Sequence, residues 1–264
     1  NLKVRNRSHF IYQYQDQVAD PEFTNIFDEY QKTKNDSARH KDLEDKLYTI
    51  LSNKFVDARR EQIRGYGYDE LSVITELLQN AEDAYAQRAW LGMEMPETCK
   101  VTFFYEKDSV GNLVLNVEHG GRPFNYYRHG EKEDPTFARD VEGVLRSAGS
   151  YKPHTNMDDV KDEEANGNIG RFGLGFKSVF LLTDCPEIHS GHWHFAIENG
   201  CIPVEKPAPE NWDPYLTRII LPLNPGMGDE PTEDRLAQLL PFLRMITAIS
   251  IIGSDGRENV ITRK

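Results

Sequence analysis

The chain has 264 residues, 38% hydrophobic and 28% charged, enough for one large globular domain with appendages. Its 43 acidic and 31 basic side chains leave a net charge of −12 with no Lys/Arg cluster, which argues against this domain alone gripping a nucleic-acid backbone. No apolar run approaches the roughly 20 residues of a membrane helix, and Cys99, Cys185 and Cys201 are too few and scattered for a disulfide framework or zinc site, so a cytoplasmic protein with reduced, buried thiols is expected.

The first residue is Asn1 rather than Met and no signal-peptide pattern follows, so a fragment of a longer protein is expected. Residues 1–35 scatter Tyr12, Tyr14, Phe23, Phe27 and Tyr30 among polar residues without a clean period and read as an arm or cap. Within 36–63, the spacing of Leu43, Leu47, Ile50 and Leu51 predicts an amphipathic helix, broken by Arg64-Gly65-Tyr66-Gly67-Tyr68. A second helix runs from Asp69, a suitable cap, to about Leu91, with Leu71, Ile74, Leu77, Leu78, Ala81 and Tyr85 near a 3.6-residue period. Val101, Phe103 and Tyr105, a turn near 108–112, then Leu113, Leu115 and Val117 predict an antiparallel hairpin. It ends in the breaker-rich Glu118-His119-Gly120-Gly121-Arg122-Pro123-Phe124.

A short helix is expected over 137–147. Residues 149–170 are polar and acidic, long enough for a functional or disordered loop. Phe176 to Leu182 reads as a helix packed on a sheet, and Trp193, Phe195 and Ile197 as a strand, with another over Thr217 to Leu223. A helix from Pro231 to about Met245 should be disturbed at Pro241, and 249–252 with 259–262 should close a hairpin. This order is not regular βαβ alternation. It predicts an α+β sandwich with helices on one face of a mostly antiparallel sheet.

Two segments carry chemistry. At about 100° per residue, Glu76, Asn80, Asp83 and Ala84 share roughly one third of the circumference of their helix. A solvated face would look the same. Downstream lies Gly170-Arg171-Phe172-Gly173-Leu174-Gly175-Phe176-Lys177-Ser178, whose glycines let the backbone turn tightly and approach phosphate. Together the segments resemble the GHKL nucleotide-binding domain, or Bergerat fold, of the ninety-kilodalton heat-shock chaperones, MutL, the gyrase B subunit and histidine kinases. The wording of Gly170 to Ser178 is most similar to the chaperone branch and, within it, to sacsin-like domains. The resemblance covers about residues 60–225.

The resemblance implies a two-layer Bergerat-type sandwich that binds ATP and Mg2+ over residues 61–230, with 149–170 as a lid, residues 1–60 an N-terminal arm and helix, and 231–264 a C-terminal extension. Glu76 matches the general base and Asn80 the magnesium ligand. Asp83 and Ala84 match the floor near sugar and base. Gly170, Phe172, Gly173, Gly175 and Phe176 match the phosphate loop, where free N–H groups at a helix start would face anions. Lys177 either meets phosphate or projects to solvent, and Lys152 falls where the family covers the phosphates. Thr217, in Leu216-Thr217-Arg218-Ile219-Ile220-Leu221, matches a threonine near the adenine.

One departure stands out. If Gly121 is the first glycine of the family's box, His119 occupies the place of the aspartate that accepts the adenine amino group; a shift by one puts Glu118 there, and Pro123 replaces the second glycine. A neutral histidine nitrogen accepts the same bond less strongly than a carboxylate. His189, His192 and His194 cluster without completing a metal set, and His192 and His194 would share a strand face. The implied function is a slow ATPase module whose closure drives conformational change in a larger protein or homodimerisation on ATP binding. The alternative is a nucleotide-binding regulatory module without turnover.

Overall fold

The structure, a computed structural model, describes residues 7–15, 18, 20–33, 36–65, 67–126, 140–145, 175–198, 200, 202–227 and 233–263. The helices are α1 (Arg7–Tyr14), α2 (Pro21–Lys32), α3 (Ser37–Gly65), α4 (Glu70–Trp90), α5 (Asp140–Leu145) and α6 (Glu233–Leu239). The strands are β1 (Lys100–Lys107), β2 (Leu113–His119), β3 (Glu187–Ser190), β4 (Trp193–Glu198), β5 (Ile202–Glu205), β6 (Thr217–Pro222), β7 (Ala248–Ile252) and β8 (Glu258–Thr262).

The strands form one sheet in the order β5-β4-β3-β6-β2-β1-β7-β8. The β1–β7 ladder is parallel, and the other described ladders are antiparallel. Because side chains alternate along a strand, register assigns each residue a face. Val101, Phe103, Val117, Ile219 and Ile249 share one face and one buried core with Ile74, Leu77, Leu78, Ala81 and Tyr85 of α4. Thr102, Glu118 and Arg218 fall in the alternate register, on the opposite face. The protein is thus an α+β fold with a mostly antiparallel sheet and its helical layer on one face.

Local chemistry accounts for the helix starts. Asp69 caps α4: its carboxylate accepts the Ser72 N–H at 2.8 Å and Ser72 Oγ accepts the Asp69 N–H at 3.2 Å, a reciprocal capping box. Asp20 caps α2 with Pro21 in the first turn, where a missing N–H costs nothing. The region read as an arm or cap is therefore partly helical. Phe23, Phe27 and Tyr30 of α2 pack with Leu43, Leu47 and Leu51 of α3 in a second core.

Helix α3 spans both cores, since its Ile63 lies in the main one. Near its end, Arg60 Nε donates to the Phe180 carbonyl at 3.0 Å and its guanidinium pairs with Asp184. Arg59 donates to the Gly200 carbonyl and lies 4.8 Å from the Phe180 ring centre.

Several expectations change in detail. Phe176–Leu181 is a 3-10 helix rather than an α-helix. Six residues wound this tightly give too short a dipole to serve as an anion-binding terminus. α6 stops at Leu239, followed by a 3-10 turn over Leu240–Phe242, because Pro241 cannot supply the N–H that would continue the helix. Strands β3 and β5 are additions to the sequence reading. Cys99 and Cys185 are free and half-buried rather than buried, and Cys201 lies outside the described residues. The segment 149–170 also lies outside them. Among the described residues no helix is long and apolar enough to cross a membrane.

One side chain of α4 ties the helix to the far side of the fold. The Glu82 carboxylate accepts three consecutive backbone N–H groups, from Arg244, Met245 at 2.7 Å and Ile246 at 2.9 Å, just before β7. Charge-assisted bonds of this kind are the stronger ones. Glu82→Ala should lower the unfolding free energy by about 2–3 kcal/mol, seen as a lower urea midpoint at unchanged slope. A change under about 0.5 kcal/mol would show that the clamp carries no weight.

Candidate functional site

The polar flank of α4 faces a cavity of about 520 Å³. Glu76, Asn80 and Asp83 line it, joined by Thr75, Leu78, Gln79 and Glu82, with Gly175 on one side and Leu239, Phe242 and Leu243 on another. The helix flank and the end of the glycine segment therefore meet. A Cβ at Gly175 would lie 3.1 Å from Glu76 Oε2 and 3.8 Å from Asn80 Oδ1, so the backbone of the glycine segment runs close beside both side chains.

Glu76 is oriented by a residue that sequence reading assigned only to a helix break. Tyr68 Oη donates to Glu76 Oε1 at 2.8 Å. Burial, then the Glu76 bond, pushes the Tyr68 phenol up to about 12, so it stays protonated and donating. Oε2 is left on the Gly175 side. Burial, with the Glu82 charge secondary, raises the Asp83 carboxyl above its ordinary value.

A second close approach lies two turns further along α4. A Cβ at Gly121 would sit 2.6 Å from Ala84 Cβ and 2.9 Å from the Ala84 carbonyl carbon. Only two small residues allow this contact, which is sealed by the Arg122 N–H donating to the Ala84 carbonyl at 2.9 Å. Tyr85 Oη accepts the Gly120 N–H at 3.0 Å and donates to the Lys100 carbonyl at 2.8 Å, while Arg88 donates to the Gly120 carbonyl. Arg122 then forks onto Asp140 with bonds of 2.7 and 2.9 Å, fixing the start of α5.

His119 closes β2 on the helix face, in register with Thr217 of β6, which is in register with Ser190 of β3. All three are buried. Thr217 and Ser190 share a hydroxyl–hydroxyl bond of 2.6 Å, and Ser190 Oγ accepts the Phe124 N–H at 2.9 Å. Glu118 points the other way and pairs with Arg218, so of the two neighbours it is His119 that lies beside Gly121. His119 Nδ1 accepts the Gly121 N–H at 3.2 Å, and burial depresses the imidazole to about 4, so it is neutral at physiological pH.

Of the remaining candidates, Phe176 is partly buried against the main core. Lys177 is buried, against the solvent-facing alternative, because its 3-10 helix is inserted in the fold with Lys177 to Leu181 all covered. Ser178 Oγ is buried with no hydrogen-bond partner among the described residues. Lys152, Gly170, Phe172 and Gly173 lie outside the described residues. His189 faces His194 across the β3–β4 ladder, with Nδ1 atoms 3.1 Å apart, and His189 Nε2 meets Glu187 at 2.7 Å; His192 sits in the turn, so the expected His192–His194 face does not form.

Among the described residues, no group of three or more His, Cys, Asp or Glu side chains is arranged to hold a metal ion. A metal at this cavity would draw on Asn80 Oδ1, a hard neutral oxygen, and take its other ligands from phosphate and water, which is the habit of Mg2+. The donor set fits that ion.

No family model matches the chain. The chain is 30% identical over 125 residues to the protein NO VEIN of Arabidopsis thaliana. That match covers 47% of this chain and only 3% of the length of NO VEIN.

The buried histidine has a measurable signature. Its unfolded form titrates near 6.5 and its folded form near 4. The neutral form is therefore favoured by folding, and its stability contribution is complete above pH 6.5 and lost as pH falls towards 4. Urea titrations between pH 7 and 4 should show wild type losing about 3 kcal/mol more than His119→Gln. Parallel pH profiles for the two proteins would place His119 in water.

Proposed function

We propose that the chain is a nucleoside-triphosphate-hydrolysing module of GHKL type, with ATP the nucleotide that the resemblance implies and Mg2+ its cofactor. The observation that supports this best is the approach of Gly175 to Glu76 Oε2 and Asn80 Oδ1 at the rim of the cavity. Neither segment alone carries the reading, since a polar helix flank and a glycine turn are each common.

The residues divide the work. Tyr68 holds one oxygen of Glu76, leaving Oε2 to orient a water and take its proton as the water attacks the terminal phosphorus and the β–γ phosphoanhydride bond breaks, releasing the nucleoside diphosphate. The close backbone at Gly175 leaves room for phosphate beside that carboxylate. Asn80 holds the metal's protein-side ligand position. Mg2+, when bound, would supply positive charge to offset that of the phosphates. Asp83 shapes the floor beyond. Ala84, Gly121, His119 and Thr217 form the end that receives the base. In the larger protein, the nucleotide state would be relayed to further domains or to a second copy.

Phosphate release by wild type and Glu76→Gln, with nucleotide affinity measured in parallel, tests this. Loss of turnover by about 10²-fold or more at retained affinity is expected. Equal rates in the two proteins would remove Glu76 from the chemistry. Thermal stabilisation by nucleotide without any phosphate release would leave a binding module in place of an enzyme.

A further inference from the structure

We propose that strand β8, with the groove between it and α6, docks an extended segment of a partner protein that carries an apolar side chain beside a carboxylate. This does not depend on the nucleotide reading.

The two edges of the sheet differ. At the β5 edge, Ile202 is buried in the second core, among residues of α2 and α3. At the other edge, Glu258, Asn259, Val260 and Thr262 of β8 are exposed.

Register says which backbone groups of β8 look outward. In an antiparallel pair, opposite residues alternate between those that exchange hydrogen bonds and those that do not. Both ends of the β7–β8 ladder fix the phase. The Arg257 carbonyl accepts the Gly253 N–H at 2.9 Å, and the Arg263 N–H donates to the Thr247 carbonyl at 2.9 Å. Counting by twos from either end, Asn259 and Ile261 turn their N–H and C=O towards β7. Glu258, Val260 and Thr262 turn theirs away, and no described strand lies on that side. An extended chain laid along β8 would pair with them.

The groove beside the strand has a volume of about 720 Å³. Ala237 of α6, Leu240 and Leu243 just after it, and Ile261 of β8 give it an apolar lining, with Arg244 and Arg263 among them. Ile261 is in register with buried Ile249, so the groove lies on the helix face of the sheet. Side chains alternate along a strand, so every second one of an added strand falls on that face. Main-chain bonds to β8 supply affinity, and the groove selects the side chain.

Charge selects the partner. The Arg263 guanidinium donates to the carbonyls of Leu243, Arg244 and Ile246 and meets no carboxylate among the described residues. The exposed Arg244 side chain meets none there either. Two guanidinium charges without a carboxylate thus line an apolar groove in a chain of net charge −12. A carboxylate beside the apolar side chain of the incoming segment complements them. A second copy fits less well: β8 paired with itself about Val260 sets Arg257 opposite Arg263, like charges across a strand pair.

The test selects phage-displayed random heptapeptides on the whole chain, then titrates a synthetic enriched peptide. Enriched sequences should join an apolar residue to a neighbouring Asp or Glu. Val260→Pro, which removes an outward N–H and spares the bonds to β7, and Arg244→Glu should each weaken binding about tenfold or more. Methylating alternate peptide amides leaves the protein untouched, so it decides even if Val260→Pro fails to fold. One alternate set should lose binding and the other keep it. No enrichment, binding indifferent to Arg244→Glu, or equal effects of the two methylated sets overturns the proposal. So does a concentration-dependent dimer that Val260→Pro dissolves, which would give the edge to a second copy.

Discussion

Everything in the site depends on the grip of α4 on the three residues after β2. Both backbone groups of Gly120 are taken by α4 side chains, the N–H by Tyr85 and the carbonyl by Arg88, and the next N–H but one returns to the backbone of the same helix at Ala84. Buried backbone groups must find partners, and these three find them on one element. The loop cannot drift from the helix without stranding several donors and acceptors at once. The helix is itself fixed by the Asp69 box at its start and by Glu82 on the segment entering β7. Both ends of the site thus ride on one rigid body, the condition for holding reacting groups within a fraction of an ångström.

The same arrangement imposes an electrostatic constraint. Glu76 and Asp83 both line the cavity, in a chain that is already strongly acidic. Two carboxylates beside a triphosphate repel it at short range, where salt screens poorly. Lys177, a cation of the glycine segment, is buried within the fold. Were a triphosphate to bind here as proposed, a divalent cation accompanying it would offset part of that repulsion.

Legibility in the sequence followed the range of the interactions. α4 was readable because its signals, a cap, a 3.6-residue apolar stripe and a polar flank, lie within one segment. The β1–β2 and β7–β8 hairpins were readable from alternation across a short turn. α2 also carried a local signal, Asp20-Pro21 followed by Phe23, Phe27 and Tyr30, which the aromatic scatter around it obscured. What stayed hidden was non-local. The parallel pairing of β1 with β7, the placing of Ser190 beside Thr217 and the hold of Tyr68 on Glu76 need the fold before they exist. The sequence left Lys177 between phosphate and solvent for the same reason, because a side chain's exposure depends on what its helix is inserted between.

The choice between Glu118 and His119 at the end of β2 shows how register decides chemistry. Glu118 and His119 are adjacent, and gaps or glycines in an alignment permit either. The strand does not. A shift of one residue sends a side chain to the other face of the sheet, and the β2–β6 ladder pairs His119 with buried Thr217 and Glu118 with Arg218. A carboxylate at 118 thus spends its charge on Arg218 across the open face, a pair half in water and of modest worth. The core of β2, with Val117 facing α4, pins this register, since slipping it would carry Val117 out of the core along with His119. Hydrophobic burial far from any ligand is therefore what commits the site to an imidazole, and through the Gly121 amide to the tautomer that imidazole adopts.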